Sequence, residues 1–176
     1  MSSKKDYQYN QRQAVNDFDI IKPILNKIGF SGEFYLVEGD NHPLAKSLDT
    51  LSGIDTWYFH KSKWCRGMAS RIQRDGKDWS SFTVRRATEF YKRSNAIKNN
   101  FLYPYYTMQA YIVDGIVSSL AIAKTKDVIS YITKYKVPVK QNSDDGNEFY
   151  VVFWDDLVRA GFNIKIYKSK ENNERS

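Results

Sequence analysis

The sequence predicts an α/β (α+β) fold, with a mixed central β-sheet and flanking helices. Three observations carry this prediction. Apolar residues recur at helical spacing near the start, and runs of β-branched and aromatic residues bounded by glycines and polar turns fill the middle. Strand-like and helix-like segments then alternate towards the end. At 176 residues the chain has the length of one domain and can bury a core without staples. No internal repeat and no linker divides it.

In chain order, residues 1–11 read as a disordered, weakly basic tail, 12–167 as one domain and 168–176 as a charged, disordered tail. Val15, Phe18, Ile21, Leu25 and Ile28 repeat at helical spacing, and Gly29 supplies a stop. Pro23 either kinks this helix or makes it begin later, near Ile20. "GEFYLVEG" reads as a short strand, and "DNHPLAKSLDTLSG" as a polar loop. "IDTWYFHK", "MASRIQR" and "SSFTVRR" are strands joined by the turns "SKWCRG" and "DGKD", so three strands in succession predict a meander. "ATEFYKRSNAIKNN" predicts a short basic helix. "YPYYTMQAYIVDG" follows as a strand with Pro104 tolerated at its start, and "IVSSLAIAKTKDVISYITKY" as a strand turning into a helix. "FYVVFWDDLVRAGFNIKIY" predicts a strand, a short helix beginning at Asp155 or Asp156 and an edge strand. The two acids are explained by helix capping and the helix dipole.

Composition narrows the function. There are 27 Lys and Arg against 20 Asp and Glu, a net charge of +7, which favours a polyanionic partner, nucleic acid first. With 13 Tyr, 10 Phe and 4 Trp, most aromatics must be core, leaving some to stack on bases. Cys65 is the single cysteine, so an internal disulfide or a cysteine zinc cluster is excluded. A reducing, intracellular (cytoplasmic) setting is expected. No apolar run is long enough for a membrane span, and "MSSKKDYQYNQRQ" has no apolar core for a secretory signal. His42 and His60 lack metal-ligand spacing, and no phosphate-binding glycine loop is present.

The stretch "LDTLSGIDTWYFHKSKWCRGMASRIQRD" carries most of the chemistry. On its second strand Ala69, Arg71 and Gln73 face one way, and Ser70, Ile72 and Arg74 the other. If the Asp55 strand pairs with it, a carboxylate lies near a cation and an amide, the grouping that phosphodiester cleavage needs. The basic residues Lys61, Lys63 and Arg66 interleave with Trp57, Tyr58 and Trp64. Arg74, Arg85, Arg86, Lys92 and Arg93 follow closely, and this interleaving suits nucleic-acid contact. Lys134, Lys136 and Lys140 form a second patch.

"LDTLSGID", followed by a short turn and a strand ending in Arg-x-Gln, resembles the PD-(D/E)xK nuclease superfamily, the restriction-endonuclease-like proteins, with a divergent motif. Members often show a "GID" strand, a hairpin turn and a strand bearing Glu or Gln, any residue, then Lys. The order of helices and strands from about Val15 to Tyr167 is also similar. The resemblance implies a DNA-binding endonuclease that cleaves or nicks phosphodiester bonds with Mg²⁺ (or Mn²⁺), in a phage or mobile-element context, with a homodimer needed to cut both strands. It makes Asp55 the metal-binding aspartate and Arg71 the counterpart of the lysine, the charge that stabilises the transition state. Ala69 falls where the family has Glu or Gln and cannot ligate a metal. Gln73 or Asp49 would then supply the second oxygen, with Glu33 and Glu38 less directly placed. The alternative is a non-catalytic nucleic-acid-binding accessory protein on the same fold, which Ala69 favours.

Overall fold

The computed structural model describes residues 4–37, 52–62, 64–74, 76–143 and 146–169; for residues 4–12 and 14 it describes the backbone alone. Helix α1 (Lys4–Lys27) opens the fold and already starts inside the stretch expected to be a tail. It is one helix through Pro23, because that residue lies on the exposed side beside Lys22, where the carbonyl it leaves unpaired can meet water. Phe18, Ile21, Ile24 and Leu25 form its buried stripe. The helix ends as the sequence indicates. Gly29 takes φ +99°, its N–H donates to the Asn26 carbonyl, and the Phe30 N–H donates to the Leu25 carbonyl at 2.9 Å, satisfying the last turn.

Next come β1 (Glu33–Leu36), β2 (Thr56–Phe59), β3 (Cys65–Arg74) and β4 (Ser81–Arg85), then a π-helical turn, Arg86–Phe90, running into α2 (Tyr91–Lys98). The hairpin β5 (Tyr106–Val113) and β6 (Ile116–Lys124) turns at Asp114 and Gly115, both at positive φ, as a tight hairpin requires. It leads to α3 (Thr125–Lys134), β7 (Val139–Gln141), β8 (Glu148–Phe153), α4 (Trp154–Arg159) and β9 (Ile164–Lys168). The helix α4 begins at Trp154, one residue before Asp155, and its N-cap is Phe153 with no side-chain cap, so Asp155 and Asp156 do not cap it; they stand in its first turn, where the dipole favours them.

Six strands form the main sheet in the order β1-β2-β3-β5-β6-β9, and three form a smaller one in the order β4-β8-β7. All neighbours in the main sheet are antiparallel except β3 and β5. A parallel pair needs a crossover, and β4 with α2 supplies it. The meander is therefore β1-β2-β3, and β4 leaves it. Asp78 explains the departure: its carboxylate accepts the Ser80 N–H at 2.9 Å and the Ser119 hydroxyl at 2.5 Å, pinning the linker onto β6 and carrying the chain past β3.

The main sheet is covered on both faces. On one side Tyr58, Met68, Met108, Ile112, Leu120 and Ile122 pack against α1. On the other, Tyr111, Ala121 and Ala123 meet Phe82, Val84, Val128, Ile132, Val152, Trp154 and Leu157. The result is a mixed α/β fold with helices on both sides of the central sheet. Among the described residues no helix is long and apolar enough to cross a membrane.

Candidate functional site

The second core stops short of the β2–β3 end of the sheet, and a polar pocket of about 460 Å³ replaces it. Its wall begins at Asp55. Gly53, at φ +65°, turns the chain, and the buried Ile54 anchors it against β3. Gly67 makes that anchoring feasible, since a Cβ there would come within 2.5 Å of Ile54 Cδ1. The backbone of Asp55 extends the sheet on both sides, its N–H donating to Met68 O at 3.0 Å and its carbonyl accepting the Val37 N–H at 2.9 Å. Asp55 Oδ2 accepts the Ser70 N–H at 2.6 Å, a short charge-assisted bond that fixes the carboxylate.

Ala69 and Arg71 follow on the pocket side of β3, with Thr107 and Gln109 of β5 beside them in register. Arg71 Nη2 donates to Glu89 Oε1 at 2.7 Å, while Glu89 Oε2 accepts the Arg85 N–H at 2.9 Å. The π-helical turn aims Glu89 inwards. Behind it Arg93 is 9% exposed. Its burial pulls the guanidinium pKa below the ordinary value, Glu89 and then Asp55 pull it up, and Arg71 opposes them. Two carboxylates and two guanidiniums therefore interact around one cavity. Lys92 and Arg85 are exposed on its rim. Gln109, 1% exposed, has its Nε2 unpartnered among the described residues, a group that a ligand oxygen entering the pocket would satisfy.

The sequence-derived residues do not all converge on one place. Asp55, Arg71, Lys92, Arg93 and Arg85 line the pocket. Gln73 does not: it lines a neighbouring groove, two residues beyond Arg71 on the same face of β3. Arg74 is turned to the α1 side, where Nε donates to Asp17 Oδ1 at 2.8 Å and Nη2 to the Gln13 carbonyl at 3.1 Å. There it lines a cleft of about 280 Å³ with Asp17, Asp55, Ser70 and Arg71. Arg86 is held by Glu148 at 2.7 Å and by the Tyr91 hydroxyl at 3.1 Å, which raise its pKa.

Lys61 and Trp64 sit past the far end of β2, and Arg66 stands opposite Tyr58, roughly 10 Å along the strand direction from Asp55. His60 stacks on Trp64 there with ring centroids 4.7 Å apart, and the Arg66 guanidinium lies 4.7 Å from the Tyr105 ring centre. Glu33 is at that end too, opposite Phe59. Asp49, Lys63, Glu38 and His42 lie outside the described residues.

Glu89 was not anticipated. Its one signal is compositional: it is the only acid between Asp78 and Asp114, within an otherwise basic segment. The chain matches no protein-family model, no curated protein and no solved structure in comparisons with all three.

Proposed function

We propose that the chain is a metal-dependent endodeoxyribonuclease, cleaving or nicking DNA at the Asp55–Arg71 pocket. The observation that carries this reading is the convergence of Asp55, Glu89, Arg71 and Arg93 on one cavity, bordered by the exposed cations Arg85 and Lys92. The element order supports it as well. A helix precedes an antiparallel meander, and a helical crossover leads to a strand parallel to β3, in keeping with the resemblance to PD-(D/E)xK nucleases. An intracellular setting, where DNA is at hand, accords with this reading.

Magnesium is the metal that the resemblance implies. Among the described residues no group of three or more His, Cys, Asp or Glu is placed to hold a metal ion. Mg²⁺, however, commonly uses one or two carboxylates and completes its shell with water and substrate phosphate. Asp55 and Glu89 fit that requirement and would hold it. Once bound, the ion would polarise the phosphate and lower the pKa of the attacking water. The protein's own groups do the rest. Arg71 offers a fixed guanidinium to the charge that grows on the phosphate, and Glu89 orients it. Arg93 balances the carboxylates from behind, while Arg85 and Lys92 hold the flanking backbone. One copy would nick; two would cut both strands.

Glu89 is engaged at both oxygens, by Arg71 and by the backbone of Arg85. That favours a second reading, a nucleic-acid-binding accessory protein without cleavage. Incubation of supercoiled plasmid with the protein and Mg²⁺ or Mn²⁺ separates the two. Nicked or linear product should form, and Asp55→Asn should slow its formation at least about 100-fold while salt-sensitive binding persists. Binding without cleavage on supercoiled, linear and single-stranded DNA would leave only the second reading.

A further inference from the structure

The smaller sheet has an unusual outer face. A two-layer antiparallel sheet normally turns apolar residues to the core and polar ones to water. The inner face obeys this, with Phe82, Val84, Tyr150 and Val152 buried in the second core. The outer face does not. Ser81, Thr83 and Arg85 of β4 stand opposite Phe153, Val151 and Phe149 of β8, and Lys140 of β7 stands opposite Phe149. With Trp79 they line a groove of about 470 Å³. Trp79 is 50% exposed and Phe153 40%, and the Lys77 ammonium lies 4.4 Å from the Trp79 ring centre.

Three further features describe the occupant. The described residues lining the groove include three cations, Arg71, Arg85 and Lys140, and no carboxylate; Asp144 and Asp145, between β7 and β8 in sequence, lie outside the described residues. Amide side chains, Gln73, Asn142 and Asn147, complete the lining. Finally, the groove shares Arg71, Thr83 and Arg85 with the Asp55 pocket, so the two form one continuous surface.

We infer that this groove binds a single-stranded segment of nucleic acid, stacking its bases on Trp79 and Phe153 and holding its phosphates with Arg85 and Lys140. Aromatic faces bordered by cations suit unstacked bases on a charged backbone. A duplex keeps its base faces covered and offers mainly phosphates, which would leave these rings unused. The volume is that of a cleft for a small ligand, enough for a short stretch of one strand. The inference rests on the nuclease reading only in taking that strand to be the one led into the Asp55 pocket.

The test is fluorescence polarisation with labelled oligothymidine and with a duplex of the same length, in EDTA so that nothing is cut. Trp79→Ala should weaken single-strand binding about tenfold and duplex binding at most slightly. Trp79 fluorescence should also be quenched by the strand. Lys140→Glu provides a second variant at an exposed site, where folding is not at stake, and should lower both the affinity and its salt dependence. Equal losses on both substrates, or none, would overturn the inference. So would a dimer of the wild type that Trp79→Ala dissociates, since a second copy would then be the occupant. Single-strand selectivity without cleavage in the plasmid assay would defeat the nuclease reading and keep the groove. Cleavage with unaltered binding by both variants would do the reverse.

Discussion

Arg71 and Arg74 stand three residues apart on β3, and each holds a carboxylate from a helical segment. Their settings differ in what covers the strand. Arg74 faces α1 and clamps Asp17, whose side chain is 8% exposed, so the pair ties the first helix to the sheet. Arg71 borders the polar pocket, and its partner Glu89 comes from a π-helical turn in the crossover. Odd and even positions of one strand thus carry the same ion-pair chemistry to different ends. On the even side the pair completes a packed layer with Met68 and Ile72. On the odd side it sits where packing stops and a ligand can enter.

The largest effect that sharpens this contrast is expected at Arg71. Arg71→Ala should lower cleavage about 100- to 1,000-fold with only a modest change in thermal midpoint, because Glu89 keeps its bond from the Arg85 backbone. Arg74→Ala should do the opposite, costing about 3 kcal/mol of stability by leaving a buried aspartate unpaired while turnover per folded molecule changes only a few-fold. Urea denaturation and single-turnover cleavage on the same preparations check both. If the two variants behave alike, the division between the faces fails.

How much of this was legible in the sequence depends on the distance over which the information acts. Gly29 announced the end of α1 because capping is local; Asp155 and Asp156 announced α4 through the dipole of its first turn, not as caps. Strand periodicity placed Arg71 and Arg74 on opposite faces. It could not show that Asp17, 57 residues earlier, awaits Arg74. Nor could it show Glu89, 18 residues beyond Arg71, because no motif spacing survives a strand that leaves its meander and a π-helical turn. The departure of β4 was hidden in Asp78, which reads as a turn residue and acts instead as an anchor on β6. The cations of the β2–β3 turn looked close to Asp55 in sequence, but an antiparallel hairpin puts its tip and its base at opposite ends.

A smaller effect tests how the pocket side is positioned. Gly67→Ala should cost about 1–3 kcal/mol through overpacking against Ile54. It should also lower cleavage, since Ile54 carries Asp55. Adding Ile54→Val removes the nearest atom, Cδ1, and should recover part of both. Recovery of stability without recovery of cleavage would separate packing from placement of the carboxylate.

The smallest expected change in stability is at Gln109, and it addresses why the two faces differ. In a packed layer a buried polar group needs a partner, and Arg74 with Asp17 meets that rule. Gln109 departs from it, as Thr56 Oγ1 does on the other face, but beside Arg71 at an open cavity: among the described residues its buried Nε2 has no partner. Replacing such a group by an apolar one of similar size is nearly neutral or stabilising, because the desolvation cost disappears with it. Gln109→Leu should therefore leave the urea midpoint unchanged or raise it by up to about 1 kcal/mol of stability, yet weaken substrate binding. Stability and binding would then move in opposite directions at one residue, as expected where a site keeps a polar group for its ligand. A loss of stability without a loss of binding would instead make Gln109 part of the packing, and move the boundary of the pocket to Arg71.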